Sequence, residues 1–163
     1  MKIQLYAFGK LKTAGLRETA DYYEKLLRGF VAFEEIELKP LPVHEKSPTN
    51  RKKIQEKEAT LLFERLAKEP GERKLIYLLD EKGKARSTRE WSEQMRTWES
   101  SSISKVVLII GSSLGFSPET IQKAQGCFSL GPQTLSHELA RVVLIEQLYR
   151  SLSLLRGHPY HND

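Results

Sequence analysis

The chain has 163 residues, of which 39% are hydrophobic and 29% are charged, and its formal net charge is +5. These values predict one domain, residues 1–163, that is large enough to bury its own core. A single cysteine, Cys127, excludes an internal disulfide framework and a cysteine-rich zinc module, and it favours a cytoplasmic protein. No apolar run approaches the ~20 residues needed to span a bilayer, so no membrane association is expected.

Five short segments are predicted to form strands because they are apolar, continuously or at every second position, and rich in branched or aromatic residues. They cover residues 3–8, 33–38, 75–79, 106–110 and 127–130. Helical patterns lie between them. Apolar stripes predict helices over residues 16–30, 54–66 and 91–98, the last behind a capping box of Ser87 and Glu90.

The loops between these elements are marked by proline and by capping residues. Pro40, Pro42 and Pro48 predict a loop over residues 39–50, and Ser117 with Pro118 predicts the start of a short helix. Strand therefore alternates with helix. This order predicts an α/β fold with a mainly parallel sheet flanked by helices, in which ligands bind beyond the carboxyl ends of the strands, after Leu79, Ile110 and Leu130.

The last predicted helix, residues 137–155, is apolar around most of its circumference. Such a helix must be covered on two sides, whereas an outer helix of a three-layer domain packs on its sheet with one side only. A second copy of the chain would supply the missing cover, and we expect a homodimer through this helix. The alternative is burial inside a larger single core.

Two glycine-containing loops follow predicted strands. The loop from Gly111 to Gly115 fits neither the G-x-G-x-x-G nor the P-loop pattern, which disfavours phosphate transfer and leaves a plain tight turn as the alternative. The segment of residues 130–135 offers few side chains for recognition, so its backbone groups would bind a ligand. Apolar walls with main-chain donors suit a flat aromatic ring such as adenine.

Basic residues follow the third predicted strand. They are Lys82, Lys84, Arg86 and Arg89. A solvated loop and a phosphate-contacting patch remain equally open for them.

The carboxyl-terminal tail follows Gly157, which is well placed to end the last helix and to set the direction of the tail. The tail carries His158, Tyr160 and His161; the alternative is a frayed terminus. No cysteine pair or carboxylate cluster accompanies the two histidines, so no metal site is expected.

These features together resemble the RlmH family, compact SPOUT-superfamily methyltransferases that act on bacterial 23S ribosomal RNA. The resemblance runs end to end, and its most specific elements are Tyr149-Arg150 and the tetrapeptide of residues 158–161. The other residues that carry it are Gly9-Lys10-Leu11, Leu79-Asp80, the loop of residues 111–115, the segment 130–135, and His137 with Arg141.

The resemblance implies a homodimer in which each chain forms a deep C-terminal trefoil knot, a rare feature that no periodicity predicts. It implies S-adenosylmethionine as methyl donor and, as acceptor, N3 of a pseudouridine in 23S rRNA within the assembled 70S ribosome. The residues that it assigns to the cofactor are Leu79, Gly111, Leu130, Gly131, Pro132, Gln133, Thr134 and Leu135.

Methyl transfer is a direct displacement, so the catalytic residues must align the acceptor and either remove the N3 proton or stabilise the anionic ring. We assign Arg141 to a phosphate or ring-anion contact. We assign His161 and Tyr160, with His158 as a third member, to the acceptor site, supplied by the partner subunit. Two alternatives remain: a SPOUT enzyme acting on transfer RNA, and a catalytically silent ribosome-binding protein.

The chain departs from the family pattern at two positions. Ser112 stands where a second glycine is usual, and its Cβ would narrow the approach of a ligand to the backbone if a positive φ were needed there. Ser136 stands where many relatives have proline. Serine is a good helix N-cap, so we expect the second change to have little effect.

Overall fold

The computed structural model describes residues 1–45, 47–68 and 73–160. Its five strands form one sheet, in the order β2-β1-β4-β3-β5, and neighbouring strands pair in parallel. The strands are β1 (Lys2–Phe8), β2 (Ala32–Leu38), β3 (Lys74–Ala85), β4 (Lys105–Ile110) and β5 (Gly126–Ser129).

Five helices connect and follow these strands. They are α1 (Ala14–Leu27), α2 (Pro48–Ala67), α3 (Thr88–Ser100), α4 (Pro118–Lys123) and α5 (His137–Leu155). The predicted alternation of strand and helix is thus confirmed. Among the described residues, no helix is both long and apolar enough to cross a membrane.

The two faces of the sheet bury different helices. One core joins the sheet to α1, α3 and α5, and its largest members include Trp91 and Trp98. The other joins the sheet to α2 through Leu62 and Leu66, with α4 packed against α2. Strand β4 is buried along its whole length because it lies in the middle of the sheet between these two layers.

Helix α5 is covered by its own chain. It packs between α1 and α3 and touches strands β1 and β4, so Leu144, Ile145 and Leu148 are completely buried. The apolar circumference that we interpreted as a subunit interface is therefore explained by burial inside the single core. Over residues 137–155, all of which the structure describes, only Leu139 is a large apolar side chain open to solvent, at 39% exposed.

Two predicted boundaries differ from the structure. The loop over residues 39–50 ends earlier than expected, because Ser47 caps α2 by accepting a hydrogen bond from the N–H of Asn50 and Pro48 occupies the first turn. Strand β3 continues beyond Leu79 to Ala85 through a register shift between Leu79 and Lys84 against Phe128 of β5. The basic residues Lys82 and Lys84 thus belong to the end of a strand rather than to a free loop.

Candidate functional site

A cavity of about 420 Å³ lies beyond the carboxyl ends of β3, β4 and β5. Parallel strands place these ends at one edge of the sheet, where open α/β folds bind ligands. Seven of the eight residues that we assigned to a cofactor line the cavity: Leu79, Gly111, Leu130, Gly131, Gln133, Thr134 and Leu135. The eighth, Pro132, belongs to the same loop but does not line it. The structure therefore brings together residues from three separate strand ends.

The glycine loop, residues 111–116, forms one wall of this cavity. Gly115 has a φ of +74°, a left-handed conformation that favours glycine, and its N–H donates to the carbonyl of Ser112 at 3.0 Å. A Cβ on Gly111 would lie 3.1 Å from the Phe116 ring. The left-handed φ favours glycine at position 115, and a side chain at position 111 would require the Phe116 ring to shift.

Ser112 fits the glycine loop without backbone strain. Among the described residues, only glycines have a positive φ. Ser112 therefore lacks the backbone conformation in which its Cβ would narrow the approach of a ligand to the backbone. The Ser112 hydroxyl donates to Oε2 of Glu58 on α2 at 2.7 Å. A side chain that the family pattern lacks is therefore anchored by a buried carboxylate.

The opposite wall is the segment of residues 130–135, which we call the cofactor loop after its predicted role. It turns at Gly131, whose φ is +140°, and the Ser129 hydroxyl ties the turn by donating to the Gly131 carbonyl at 2.6 Å. The Thr134 hydroxyl donates to Glu81 on the bulged end of β3. This contact joins two of the cavity walls.

The first turn of α5 completes the cavity. Ser136 caps the helix by accepting a hydrogen bond from the N–H of Leu139, which confirms its expected role. His137 lines the cavity, and its Nε2 lies 3.0 Å from the position of a Cβ built on Gly9. Gly9, with a φ of +105°, therefore leaves the space that the imidazole ring occupies.

The cavity also contains residues that we did not assign to it from the sequence. These are chiefly Arg51 on α2, Ser113, and His137 and Ala140 on α5. No local pattern identifies Arg51 as a site residue, because α2 begins after a different strand. His137 is one of the residues on which the family resemblance rests. Its position, one residue after the predicted cap Ser136, would have placed it where residues 130–135 lead into α5.

Arg141 lies in a buried ionic cluster and not at the cavity surface. Its side chain is 0% exposed; Nε donates to Glu35 at 2.6 Å, Nη2 to Glu37 at 2.7 Å and Nη1 to the Gly9 carbonyl at 3.0 Å. These bonds surround the guanidinium group with partners from β2 and from the loop after β1. Such burial contradicts a phosphate or ring-anion contact, and we assign Arg141 a positioning role instead.

Two carboxylates in or beside this cluster, Glu24 and Glu37, have shifted pKa values. Burial and the neighbouring Glu35 raise the pKa of Glu24 on α1. Burial opposes ionisation of Glu37 as well, but the Leu11 N–H and the Arg141 guanidinium more than offset it and lower the pKa of Glu37. Arg141 thus stabilises an ionised carboxylate that in turn holds the loop after β1.

The carboxyl-terminal tail leaves α5 through a Schellman motif. Gly157 has a φ of +65°, its N–H donates to Leu154, and the His158 N–H donates to Ser153. The expected role of Gly157 is thus confirmed. His158 lies exposed, with its ring edge-on to Phe30 at a centroid distance of 5.9 Å.

Tyr160 packs on the carboxyl-terminal half of α5. Its ring lies 4.6 Å from the Tyr149 ring, and its hydroxyl is within 3.3 Å of the Tyr23 hydroxyl and 3.2 Å of Glu146. Burial and these neighbours raise the pKa of Tyr160. At 1.5 Å per residue, Glu146 lies about 14 Å along the helix from His137, so Tyr160 does not join the cavity of its own chain.

His161, the remaining predicted catalytic residue, lies outside the described residues. Within the described ranges, no group of three or more His, Cys, Asp or Glu side chains is arranged to hold a metal ion.

Comparison with known proteins places this chain in a family. Residues 1–161 match the family described as "Predicted SPOUT methyltransferase". Curated relatives named "Ribosomal RNA large subunit methyltransferase H" include one from Ligilactobacillus salivarius, 35% identical with 99% of each chain covered, and one from Streptococcus uberis, 36% identical with the same coverage. The Flavobacterium johnsoniae protein of that name is 35% identical over 100% of both chains.

A solved structure has the same fold. The probable methyltransferase from Bordetella pertussis superposes with a TM-score of 0.55 at 14% identity and covers 93% of this chain and 94% of its own. At that identity the likeness shows the fold alone, and it agrees with the parallel sheet and flanking helices described above. The chain belongs to the SPOUT methyltransferase family.

Proposed function

We propose that this protein transfers a methyl group from S-adenosylmethionine to N3 of a pseudouridine in 23S rRNA of the assembled 70S ribosome. The observation that carries the proposal is the full-length similarity to relatives whose name is "Ribosomal RNA large subunit methyltransferase H". The cavity at the strand ends supports it, because family membership requires a methyl-donor site and the residues assigned to that site converge there. The reaction would take place in the cytoplasm.

The residues of the cavity fit S-adenosylmethionine. Its volume, about 420 Å³, is within the range of small-molecule sites. Leu79, Leu130 and Leu135 supply apolar surface for the adenine ring, and the backbone of the cofactor loop supplies hydrogen-bonding groups. Bound there, S-adenosylmethionine supplies an electrophilic methyl group, and no metal is needed for its transfer.

The fold in this proposal includes a deep trefoil knot at the C-terminus. Helix α5 lies between α1 and α3, against the central strands β1 and β4, although it follows the edge strand β5 in the chain. A last helix in the interior of the layer is what a chain threaded through an earlier loop would produce. The knot would hold the cofactor loop between two fixed elements.

The acceptor site in this proposal is completed by a second copy of the chain. Tyr160 and His158 follow the carboxyl-terminal end of α5, away from the cavity of their own chain, so they serve a site only if that site belongs to the partner. Exposed Leu139 and half-buried Val143 offer part of the surface for such a homodimer. With His161, these residues would position the pseudouridine ring.

The reaction needs one proton transfer and one displacement. The proton on N3 passes to a base at the acceptor site or to water, the lone pair left on N3 attacks the methyl carbon, and the bond from carbon to sulfur breaks with its electrons moving to sulfur. The positive charge on sulfur is thereby neutralised, and S-adenosylhomocysteine is released. The protein's part is to align the three atoms and exclude water, while the tail stabilises the ring as it loses its proton.

The decisive experiment measures labelled methyl transfer to 70S ribosomes, 50S subunits and transfer RNA, with the product nucleoside identified by mass spectrometry. We expect methylpseudouridine on 70S ribosomes only. Label on transfer RNA would overturn the substrate and keep the enzyme class. Ribosome binding with no transfer to any RNA would support the catalytically silent alternative.

The tail assignment has its own test. Tyr160→Phe and His161→Ala should lower turnover while leaving the affinity for S-adenosylhomocysteine unchanged, because neither residue is assigned to the cofactor walls. Gly15→Ala is a matched control, since a Cβ at that exposed helical position meets nothing within 4 Å. Full turnover in both tail variants would exclude the tail from the acceptor site.

A further inference from the structure

One face of α2 contacts the glycine loop. Arg51, Gln55 and Glu58 lie on this face at the helical spacings of four and three residues. Arg51 donates to the Leu114 carbonyl through Nε at 3.2 Å and Nη2 at 2.9 Å, and Gln55 donates to the same carbonyl at 2.7 Å. One carbonyl at the tip of the loop therefore accepts three hydrogen bonds from a neighbouring helix.

Glu58 is the buried member of this face, with 4% of its surface exposed. Its Oε1 accepts from the Leu41 N–H at 3.2 Å, and its Oε2 accepts from the Ser112 hydroxyl at 2.7 Å. The Ser112 oxygen also accepts from the Leu114 N–H at 3.3 Å. Each carboxylate oxygen thus has a donor, which is the condition for burying a charge at low cost.

The Ser112 hydroxyl is the link between this carboxylate and the cavity. Ser112 lines the cavity with Gly111, Ser113 and Gly115, whereas Glu58 does not line it. A change at Glu58 therefore acts on a bound molecule indirectly, and its direct contact with the cavity lining is the Ser112 hydroxyl. Glycine at position 112 would leave the carboxylate without this donor and the loop without its side-chain anchor.

We infer that Glu58 and Ser112 form a positioning pair that preorganises the glycine loop for binding S-adenosylmethionine. The pair acts on affinity, because it fixes one wall of the cofactor cavity and touches neither the acceptor base nor the reacting atoms. This inference rests on the proposed function for the identity of the ligand. It assigns α2, which contributes only Arg51 to the cavity, a part in cofactor binding.

The test is a double-mutant cycle on the binding of S-adenosylhomocysteine, measured by titration calorimetry on the full chain. Ser112→Ala should raise the Kd for S-adenosylhomocysteine about fivefold. The binding free energy lost in this way is smaller than the full contribution of a hydrogen bond to a charged group. In a Glu58→Gln background the same change should have a clearly smaller effect, because a neutral amide oxygen replaces the charged acceptor. Ser112→Thr keeps the hydroxyl and should restore most of the affinity.

The control is Glu56→Gln, an exposed carboxylate on the same helix that pairs only loosely with Lys52 at 3.9 Å. It should leave the Kd unchanged. With 70S ribosomes, the Ser112→Ala protein should show a raised KM for S-adenosylmethionine and an unchanged kcat.

Lowered melting temperatures with an unchanged Kd would reduce the pair to a structural role and overturn the inference. So would equal effects of Ser112→Ala with and without Glu58. Failure of the proposed function has a different signature: the wild-type protein would bind S-adenosylhomocysteine and show the cycle, yet methylate no ribosomal RNA. If the wild type does not bind S-adenosylhomocysteine, the inference fails with the cofactor assignment.

Discussion

Arg141 shows how a single residue can serve a site that it does not touch. Its guanidinium group holds the Gly9 carbonyl and the carboxylates of Glu35 and Glu37, while Glu37 also accepts the Leu11 N–H. The loop after β1 is therefore fixed beside His137, in the cavity wall. The charge of Arg141 and its place near the start of α5 predicted a functional residue, but they did not show whether it contacts the substrate or positions other residues.

Removing this side chain should destabilise the fold. Arg141→Ala would leave buried carboxylates without their partner, and we expect the free energy of unfolding to fall by about 3–5 kcal/mol. Urea denaturation measures the change, with Lys12→Ala, an exposed side chain, as control. Normal stability combined with weak ribosome binding would instead restore the phosphate contact that the burial contradicts.

Glu37 gives the protein a component of acid sensitivity. Its pKa is lower in the folded protein than the ordinary value of 4.5, so its stabilising contribution is complete above pH 4.5 and is lost as the pH falls through the folded-state pKa. Glu37→Gln should therefore be less stable than the wild type at neutral pH, and the difference should shrink below pH 4.5. Urea midpoints of both proteins from neutral to acidic pH test this. A difference that stays constant over this range would exclude Glu37 as a source of the acid sensitivity.

At the scale of secondary structure, the sequence predicted the positions of strands and helix caps well, but it did not predict what packs against them. The apolar run of β4 and the caps Ser87, Ser117 and Ser136 determine structure locally, and all of them are found where expected. The surroundings of Arg141 depend on Glu35 and Glu37, which are more than 100 residues earlier in the chain. The cover on α5 likewise comes from helices distant in sequence, which no periodicity reveals.

The cap of α5 should contribute measurably to stability. Ser136→Ala removes the acceptor for the Leu139 N–H and should lower the free energy of unfolding by about 1 kcal/mol. Ser136→Asp keeps an acceptor and places a negative charge at the helix N-terminus, so it should retain the wild-type value. Chemical denaturation compares the three proteins; equal stability of the alanine variant would mean that the cofactor loop, and not the cap, fixes the start of the helix.

For the whole molecule, the parallel sheet places the cavity walls and two lysines at the carboxyl ends of the strands. Lys82 lines the cavity, and Lys84 lies exposed on the same strand extension. Lys25, near the end of α1, lies at the opposite edge, because a helix that connects parallel strands runs back toward their amino ends. The two lysines therefore lie at the cavity end of the molecule, beside Asp80 and Glu81, whereas Lys25 lies at the far end.

This asymmetry should appear in the salt dependence of ribosome binding. Replacing Lys82 and Lys84 with glutamine should weaken binding and reduce the slope of log Kd against log salt by about 1 for each phosphate that is no longer neutralised. Lys25→Gln should change neither quantity. Equal slopes for the double variant and the wild type would mean that the two lysines are solvated and contact no phosphate, which is the alternative that the sequence leaves open.

The strand order also determines when this protein can fold. In the described part of the chain, strand β1 pairs with β2 and β4, and Ile3 of β1 lies opposite Val106, roughly 100 residues away, with no hairpin among the paired strands. Contacts between distant parts of a chain form slowly, because a long loop must close first. During synthesis, β1 leaves the ribosome first, yet one of its two edges stays unpaired until β4 emerges. The nascent protein therefore passes through a stage with an exposed apolar strand edge, and its yield in the cell should depend on protection of that edge while the second half is made.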